Sequence, residues 1–230
     1  MSKASILVVG DLHGEWGKLN QLISKKQPDI VLQCGDFGWW PKMEIKAPVL
    51  YGHTSKWRLK GIKPGNSKIY WCDGNHEELP HLIQDGNIHE MYNQVFHGSR
   101  GSTLRLPDGR IVLFAGGASS VDKDLRTPGH DWFFEENITN KEFELMLSHK
   151  RVDVVVSHTC PTQFEVYGTG STEKLNDGNR IALSYVLEKY KPSLWFFGHW
   201  HNYEYGKFEN TKWFCLDYPG HRSRWWMWCP

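Results

Sequence analysis

The residues able to do chemistry fall at five places, each directly after a short apolar run. Ile6–Val9 runs into Gly10-Asp11-Leu12-His13-Gly14, Ile30–Leu32 leads to Gly35-Asp36, and Ile69–Trp71 leads to Gly74-Asn75-His76-Glu77. Val154–Val156 ends in Ser157-His158, and Leu194–Phe197 leads to Gly198-His199-Trp200-His201. Carboxylate, imidazole and amide oxygen together form a donor set suited to borderline divalent cations such as Mn, Fe, Zn, Ni or Co. In Asp-x-His and His-x-His, alternate residues of an extended segment point the same way, so two donors can reach one pocket. Glycine ahead of a donor lets the backbone turn tightly and leaves room for a bound group. Any single piece arises readily by chance in a chain with 12 histidines. Five pieces in this order, each after an apolar run, do not.

These donors need elements to carry them. The apolar runs have the length and the β-branched or aromatic content of buried strands, and Ile111–Ala115 adds another. Between them lie helical patterns. Trp16, Leu19 and Ile23 sit at helical spacing, and Thr139 with Glu142 makes a capping box ahead of Phe143, Leu145 and Met146. Ile181, Tyr185 and Leu187 to Tyr190 predict a further helix that stops before Pro192. Strands alternating with helices predict an α/β fold with helices covering a sheet. In such sheets ligands bind beyond the carboxyl ends of the strands, where the five donor segments would converge. Tyr203–Phe208 and Lys212–Cys215, with a turn at Asn210, read as a hairpin. The loop-rich segments 37–66 and 116–137 are long enough to shape a site. With no repeat and no linker, residues 1–230 are expected to form a single domain.

Composition narrows the class. A formal net charge of +1 gives no indication of a strongly basic face for duplex nucleic acid, and leaves Lys56, Arg58, Lys60, Lys63 and Lys68 as an ordinary solvated loop or a local patch. Five cysteines without a CxxC spacing fit neither a disulfide framework nor a zinc finger, and read as small buried thiols. The first apolar run is too short for a signal core or a membrane span, so a cytoplasmic protein with no membrane attachment is expected. The stretch Trp225-Trp226-Met227-Trp228 reads either as a final element packed on the body or as an aromatic surface for a homo-oligomer.

The ordered pattern Asp-x-His, Gly-Asp, Gly-Asn-His-Asp/Glu, a lone His and Gly-His-x-His resembles the calcineurin-like metallophosphoesterase superfamily. All five elements are present from Asp11 to His201, so the resemblance covers most of the chain. It implies a four-layer αββα sandwich and two divalent metal ions, with manganese first and Fe, Zn, Ni, Co or Mg as alternatives. It also implies that Asp11, His13 and His201 bind one ion, that Asn75, His158 and His199 bind the other, and that Asp36 bridges them. His76 matches a histidine that binds no metal and acts on the leaving group or steadies the phosphate. Gly35-Asp36 continues as Phe37-Gly38-Trp39-Trp40-Pro41, without the further Asp and the Arg of phosphoprotein phosphatases, so no partner for His76 is identified. The segment Gly116–Asp122 with Arg126 and Trp132 is similar to one in small bacterial and phage members.

The expected reaction is in-line attack of a metal-bridging hydroxide on phosphorus, for which two ions about 3.5–4 Å apart are suited. Phosphodiesters are the expected substrates, including small-molecule phosphate esters, nucleotides and nucleic-acid ends. The competing readings are a phosphomonoesterase or dinucleoside-polyphosphate phosphatase, and a non-catalytic protein-interaction scaffold. Arg126 has two readings, a phosphate ligand or a loop salt bridge. Glu77 is read as a support behind the donors or a helix start, and His53, His81, His89, His97, His130, His149 and His221 receive no role.

Overall fold

Each central apolar run has large residues at both odd and even positions, so both faces of its strand must be covered. In a computed structural model, which describes residues 4–41, 61–167 and 177–230, the chain meets that demand with two stacked sheets. The first contains β1 (Ile6–Val9), β2 (Ile30–Gln33), β3 (Lys68–Trp71), β4 (Ile88–Tyr92), β5 (Val95–Gly98) and β12 (Trp226–Trp228), in the order β12-β1-β2-β3-β5-β4. The second contains β6 (Thr103–Arg105), β7 (Ile111–Ala115), β8 (Val154–Ser157), β9 (Leu194–Phe197), β10 (Glu204–Phe208) and β11 (Thr211–Cys215), in the order β10-β11-β9-β8-β7-β6. In both sheets the inner strands are parallel and the two edge strands run antiparallel.

The period-two alternation divides the side chains between layers. Ile6, Val8, Leu32 and Tyr70 face inward and meet Val112, Phe114, Val154, Val156, Leu194 and Phe196 of the other sheet. Leu7, Val9, Val31, Ile69 and Trp71 face outward and are covered by Trp16, Leu19, Leu22 and Ile23 of α1 (Trp16–Lys26). On the far side, Leu113, Val155, Trp195 and Phe197 are covered by Met146 of α2 (Asn140–Leu147) and by Leu183, Val186 and Leu187 of α3 (Gly178–Tyr190). Helix, sheet, sheet and helix thus form an α/β sandwich of the expected four-layer kind.

The expected strands, the capping box and the hairpin all form. The α3 stripe differs in part: Ile181 and Tyr185 are exposed, Leu187 is buried as expected, and Leu183 and Val186 are buried beside it. The aromatic end of the chain forms β12, antiparallel to β1, with Trp225 and Trp226 packed on the outer core. Cys34, Cys72, Cys160 and Cys215 are buried thiols. Among the described residues no helix is long and apolar enough to cross a membrane. Lys56, Arg58, Lys60, His53 and most of segment 37–66 lie outside the described residues.

Candidate metal centre

The inner strands of both sheets release their chains toward one another, and the five donor segments meet there. Asp11 follows β1, Asp36 follows β2 and Asn75 follows β3; His158 follows β8, while His199 and His201 follow β9. Backbone bonds lock the first two turns together, since Leu12 N and His13 N both donate to Asp36 O, at 3.0 and 2.7 Å. The next links cross between elements. His76 N donates to Asp36 Oδ1 at 2.8 Å, and His199 N donates to both Asp11 oxygens at 3.0 Å.

The donor atoms sort into two sets. In one, His13 Nε2 and His201 Nε2 are 2.9 Å apart, His201 Nε2 is 3.2 Å from Asp11 Oδ2, and His13 Nε2 is 3.6 Å from Asp36 Oδ2. Asp11, His13, Asp36 and His201 therefore form a group that could hold a metal ion. In the other, Asn75 Oδ1 lies 3.0 Å from both His158 Nε2 and His199 Nδ1, and His158 Nε2 is 3.3 Å from Asp36 Oδ1. Asp36 offers one oxygen to each set. Atoms that share an ion at about 2.0–2.2 Å must themselves sit roughly 3 Å apart, and these do.

The chemistry of the donors fits the same conclusion. His158 Nδ1 donates to Cys34 O at 2.8 Å, which fixes the ring and turns Nε2 toward Asn75 and Asp36. A lone pair then faces an amide oxygen and a carboxylate, an arrangement that calls for a cation or a proton between them. Burial pushes His158 down, yet the carboxylates of Asp36 and Asp11 outweigh it and hold the imidazole up at about 10. Burial lowers His201 as well, and its bond to Asp11 more than restores it. Asp36 would be raised by burial, but the charges of His158, His76 and His13 hold it well below the usual carboxylate range. The site is built to concentrate positive charge.

Its backbone is strained. His13, Asp36, His199 and His201 have φ of 45°, 51°, 69° and 49°, the left-handed region that L-residues rarely adopt. The neighbouring glycines are crowded by donors: a Cβ at Gly198 would overlap Asp11 Oδ1, and one at Gly74 would overlap Asp36 Oδ1. The room these glycines leave is filled by the side chains of other segments, not held open for a bound group.

His76 lies half-buried beside the first set, its ring 5.2 Å from that of His13. Its Nε2 is 2.6 Å from Arg126 Nη2, and Arg126 also pairs with Asp122 at 2.6 Å and reaches Asn75 O at 3.3 Å. Burial, aided by Arg126 and against the pull of Asp36, lowers His76 well below its ordinary range, so its Nε2 accepts the guanidinium's hydrogen bond. Glu77 is fully buried and accepts from Gly38 N and Gly74 N, at 3.1 and 2.7 Å, tying the loops after β2 and β3 together. It starts no helix.

Sequence reasoning missed four neighbours. Ser120 and Glu136 stand behind Asn75. The Tyr218 ring is 4.7 Å from that of His201, and His221 Nδ1 is 3.3 Å from His201 O. Ser120 lies in the Gly116–Asp122 segment that is similar to one in small bacterial and phage members, and Glu136 only in the long segment 116–137. Tyr218 and His221 belong to no recognisable spacing.

The profile of the calcineurin-like phosphoesterase family matches residues 4–203. No curated protein matches the chain. One solved crystal structure superposes with a TM-score of 0.55 at 13% identity, covering 94% of this chain and 91% of the other. A second, of a Staphylococcus aureus protein provisionally described as a 5'-nucleotidase and bound to alpha-ketoglutarate, gives 0.50 at 17% identity. It covers 94% of this chain, which spans only 49% of that protein's chain. At these identities the two structures speak for the fold alone. The family profile, running over all five donor segments, carries the assignment: the chain belongs to the calcineurin-like phosphoesterase family, metal-dependent hydrolases of phosphate esters.

Proposed function

We propose that the chain works as one domain and hydrolyses phosphodiesters with two divalent ions, manganese first among them. The observation that carries this reading is the division of eight donor atoms into two sets that share the two oxygens of Asp36. In this reading Asp11, His13 and His201 hold one ion, Asn75, His158 and His199 hold the other, and Asp36 bridges. Such a pair of ions, when bound, supplies Lewis acidity toward the phosphoryl oxygens and an acidified water as nucleophile. The protein's own part is to fix the donors through backbone bonds and to set His76 beside the first set. There His76 steadies the phosphoryl group through the N–H at its other ring nitrogen or, once protonated and released from Arg126, protonates the departing alkoxide.

The diester preference rests on the segment Phe37-Gly38-Trp39-Trp40-Pro41 after Asp36, which lacks the further Asp and the Arg of phosphoprotein phosphatases. Phe37 is fully buried and stacks on Trp71, with centroids 4.6 Å apart, so the place after the bridging carboxylate holds core and no cation. A second reading, a monoesterase or dinucleoside-polyphosphate phosphatase, draws on Arg126, whose guanidinium beside His76 suits a terminal phosphate carrying extra charge. The test compares bis-p-nitrophenyl phosphate with p-nitrophenyl phosphate, using metal-stripped protein with Mn, Ni, Zn or Mg restored. Diester turnover that returns with a transition metal is expected. Monoester turnover alone would replace the first reading by the second, and no turnover with any ion would overturn both.

A further inference from the structure

An amide ligand has a weakness that an imidazole lacks. Its oxygen and nitrogen are nearly the same size, so an asparagine can face a cation with the wrong end unless something behind it tells the two apart. The surroundings of Asn75 contain such a device. Asn75 Nδ2 donates to Ser120 Oγ at 3.1 Å, on the side opposite to the oxygen that faces His158 and His199. Ser120 in turn donates its hydroxyl to Glu136 Oε2 at 2.5 Å, and its backbone N–H to Glu136 Oε1 at 2.8 Å. All three residues are buried, with exposures of 5%, 5% and 2% for Asn75, Ser120 and Glu136.

Burial raises the Glu136 carboxyl, while its bonds from Ser120 favour the ionised form. With Glu136 ionised, the direction of this chain of bonds is forced. A carboxylate only accepts, so Glu136 takes the hydroxyl proton of Ser120 and leaves only lone pairs facing Asn75. A reversed amide would then set its oxygen against the oxygen of Ser120, two acceptors in a buried place, which is costly. Glu136 grips Ser120 at both its N–H and its hydroxyl, so the serine cannot turn aside. Both residues come from segment 116–137, which lies outside the five donor segments.

We propose that Ser120 and Glu136 are positioning residues that fix the amide of Asn75 with its oxygen toward the second ion. This rests on the reading of Asn75 as a donor to that ion. Supports of this kind typically change metal affinity by about 10- to 100-fold. The experiment titrates metal-stripped full-length protein with Mn(II), following uptake by calorimetry and pair formation by the exchange-coupled paramagnetic resonance signal. In the parent two ions bind, and Asn75→Ala abolishes the second.

In Ser120→Ala the second affinity is expected to fall by about 10- to 100-fold, with the first unchanged. Glu136→Gln keeps the shape but lets the hydroxyl point either way, so a smaller fall at the second ion alone is expected. It also serves as the deciding variant should Ser120→Ala fail to fold. Parent-like affinities for both ions in the folded variants would overturn the proposal, as would an equal loss at both. If the parent binds one ion only, or Asn75→Ala keeps the second, the donor reading itself falls and takes this inference with it.

Discussion

His76 and its neighbours show how far single residues can be read. The seven expected donors and His76 stand out in the sequence because each follows an apolar run and carries a side chain with strong donor chemistry, and the fold brings all eight together. Their setting was not legible. Arg126 is fifty positions beyond His76 in sequence, yet its guanidinium touches the imidazole, a pairing that only folding creates. The identity of His76's partner, open in the sequence, is thus Arg126, which Asp122 and the carbonyl of Asn75 hold in place. The bond from His76 to Asp36 Oδ1 is made by its backbone N–H and survives in an alanine variant, so removing the ring should leave the donors seated. His76→Ala is expected to lose about a hundred- to ten-thousand-fold in turnover with metal content unchanged. Steady-state kinetics paired with elemental analysis checks this, and a fully metallated variant of parental activity would remove the assigned role.

At the scale of elements, periodicity found the inner strands because a strand covered on both faces is apolar at every position. The same rule hid the edge strands β4 and β6, whose residues Ile88–Tyr92 and Thr103–Arg105 are mostly half-exposed and mix polar with apolar types. The mostly buried β5 was missed because His97 and Gly98 cut its apolar run short. For α3, packing against Trp195 and Phe197 buries Leu183 and Val186 beside Leu187, positions outside the stripe expected from the sequence. The start of α2 was the most legible feature. Thr139 Oγ1 accepts from Glu142 N at 3.3 Å, and Glu142 Oε2 accepts from Thr139 N at 2.7 Å, as the capping box requires. The same Glu142 oxygen meets Arg100 Nη1 at 3.1 Å, so the cap also anchors the helix to the loop after β5. Thr139→Ala should cost about 1 kcal/mol of stability, within the usual range for caps, measured by denaturant unfolding. A change too small to resolve would mean that Arg100 alone seats the helix.

For the whole molecule, Arg100 is the joint between the layers. It is fully buried, bonds Asp73 Oδ2 through Nε at 2.9 Å and Nη2 at 2.6 Å, and reaches the carbonyls of Glu135 and Asn137 at 2.8 Å. The loops after β3 and β5 are thereby tied to the segment that carries Ser120 and Glu136. Burial would raise the Asp73 carboxyl, but Arg100 and His97 hold it well below the usual range. The unfolded chain therefore binds a proton more readily at Asp73 than the folded one. The stability this provides is complete above the unfolded value near 3.9 and fades as pH falls through the lower folded value. Arg100→Met leaves Asp73 buried without its cation, and should cost about 3–5 kcal/mol at pH 7. With the cation gone, burial favours the protonated acid, so the gap between variant and parent should narrow toward pH 4. Unfolding curves at both pH values measure it, and a gap independent of pH would remove Asp73 as the cause.

The first donor set also has a topological side. His13 and His201 lie 188 positions apart in the chain, and their imidazole nitrogens are 2.9 Å apart in space. An ion held between them would be a removable staple across nearly the full length of the polypeptide, present only in the folded form. Closing so long a loop in the unfolded chain is entropically unfavourable, and cost grows only slowly with length, so such a staple acts on the molecule much as a long-range covalent bridge does. The proposed catalytic centre would then double as a lock on the register of the two sheets, opened by a chelator where a disulfide would need a reductant.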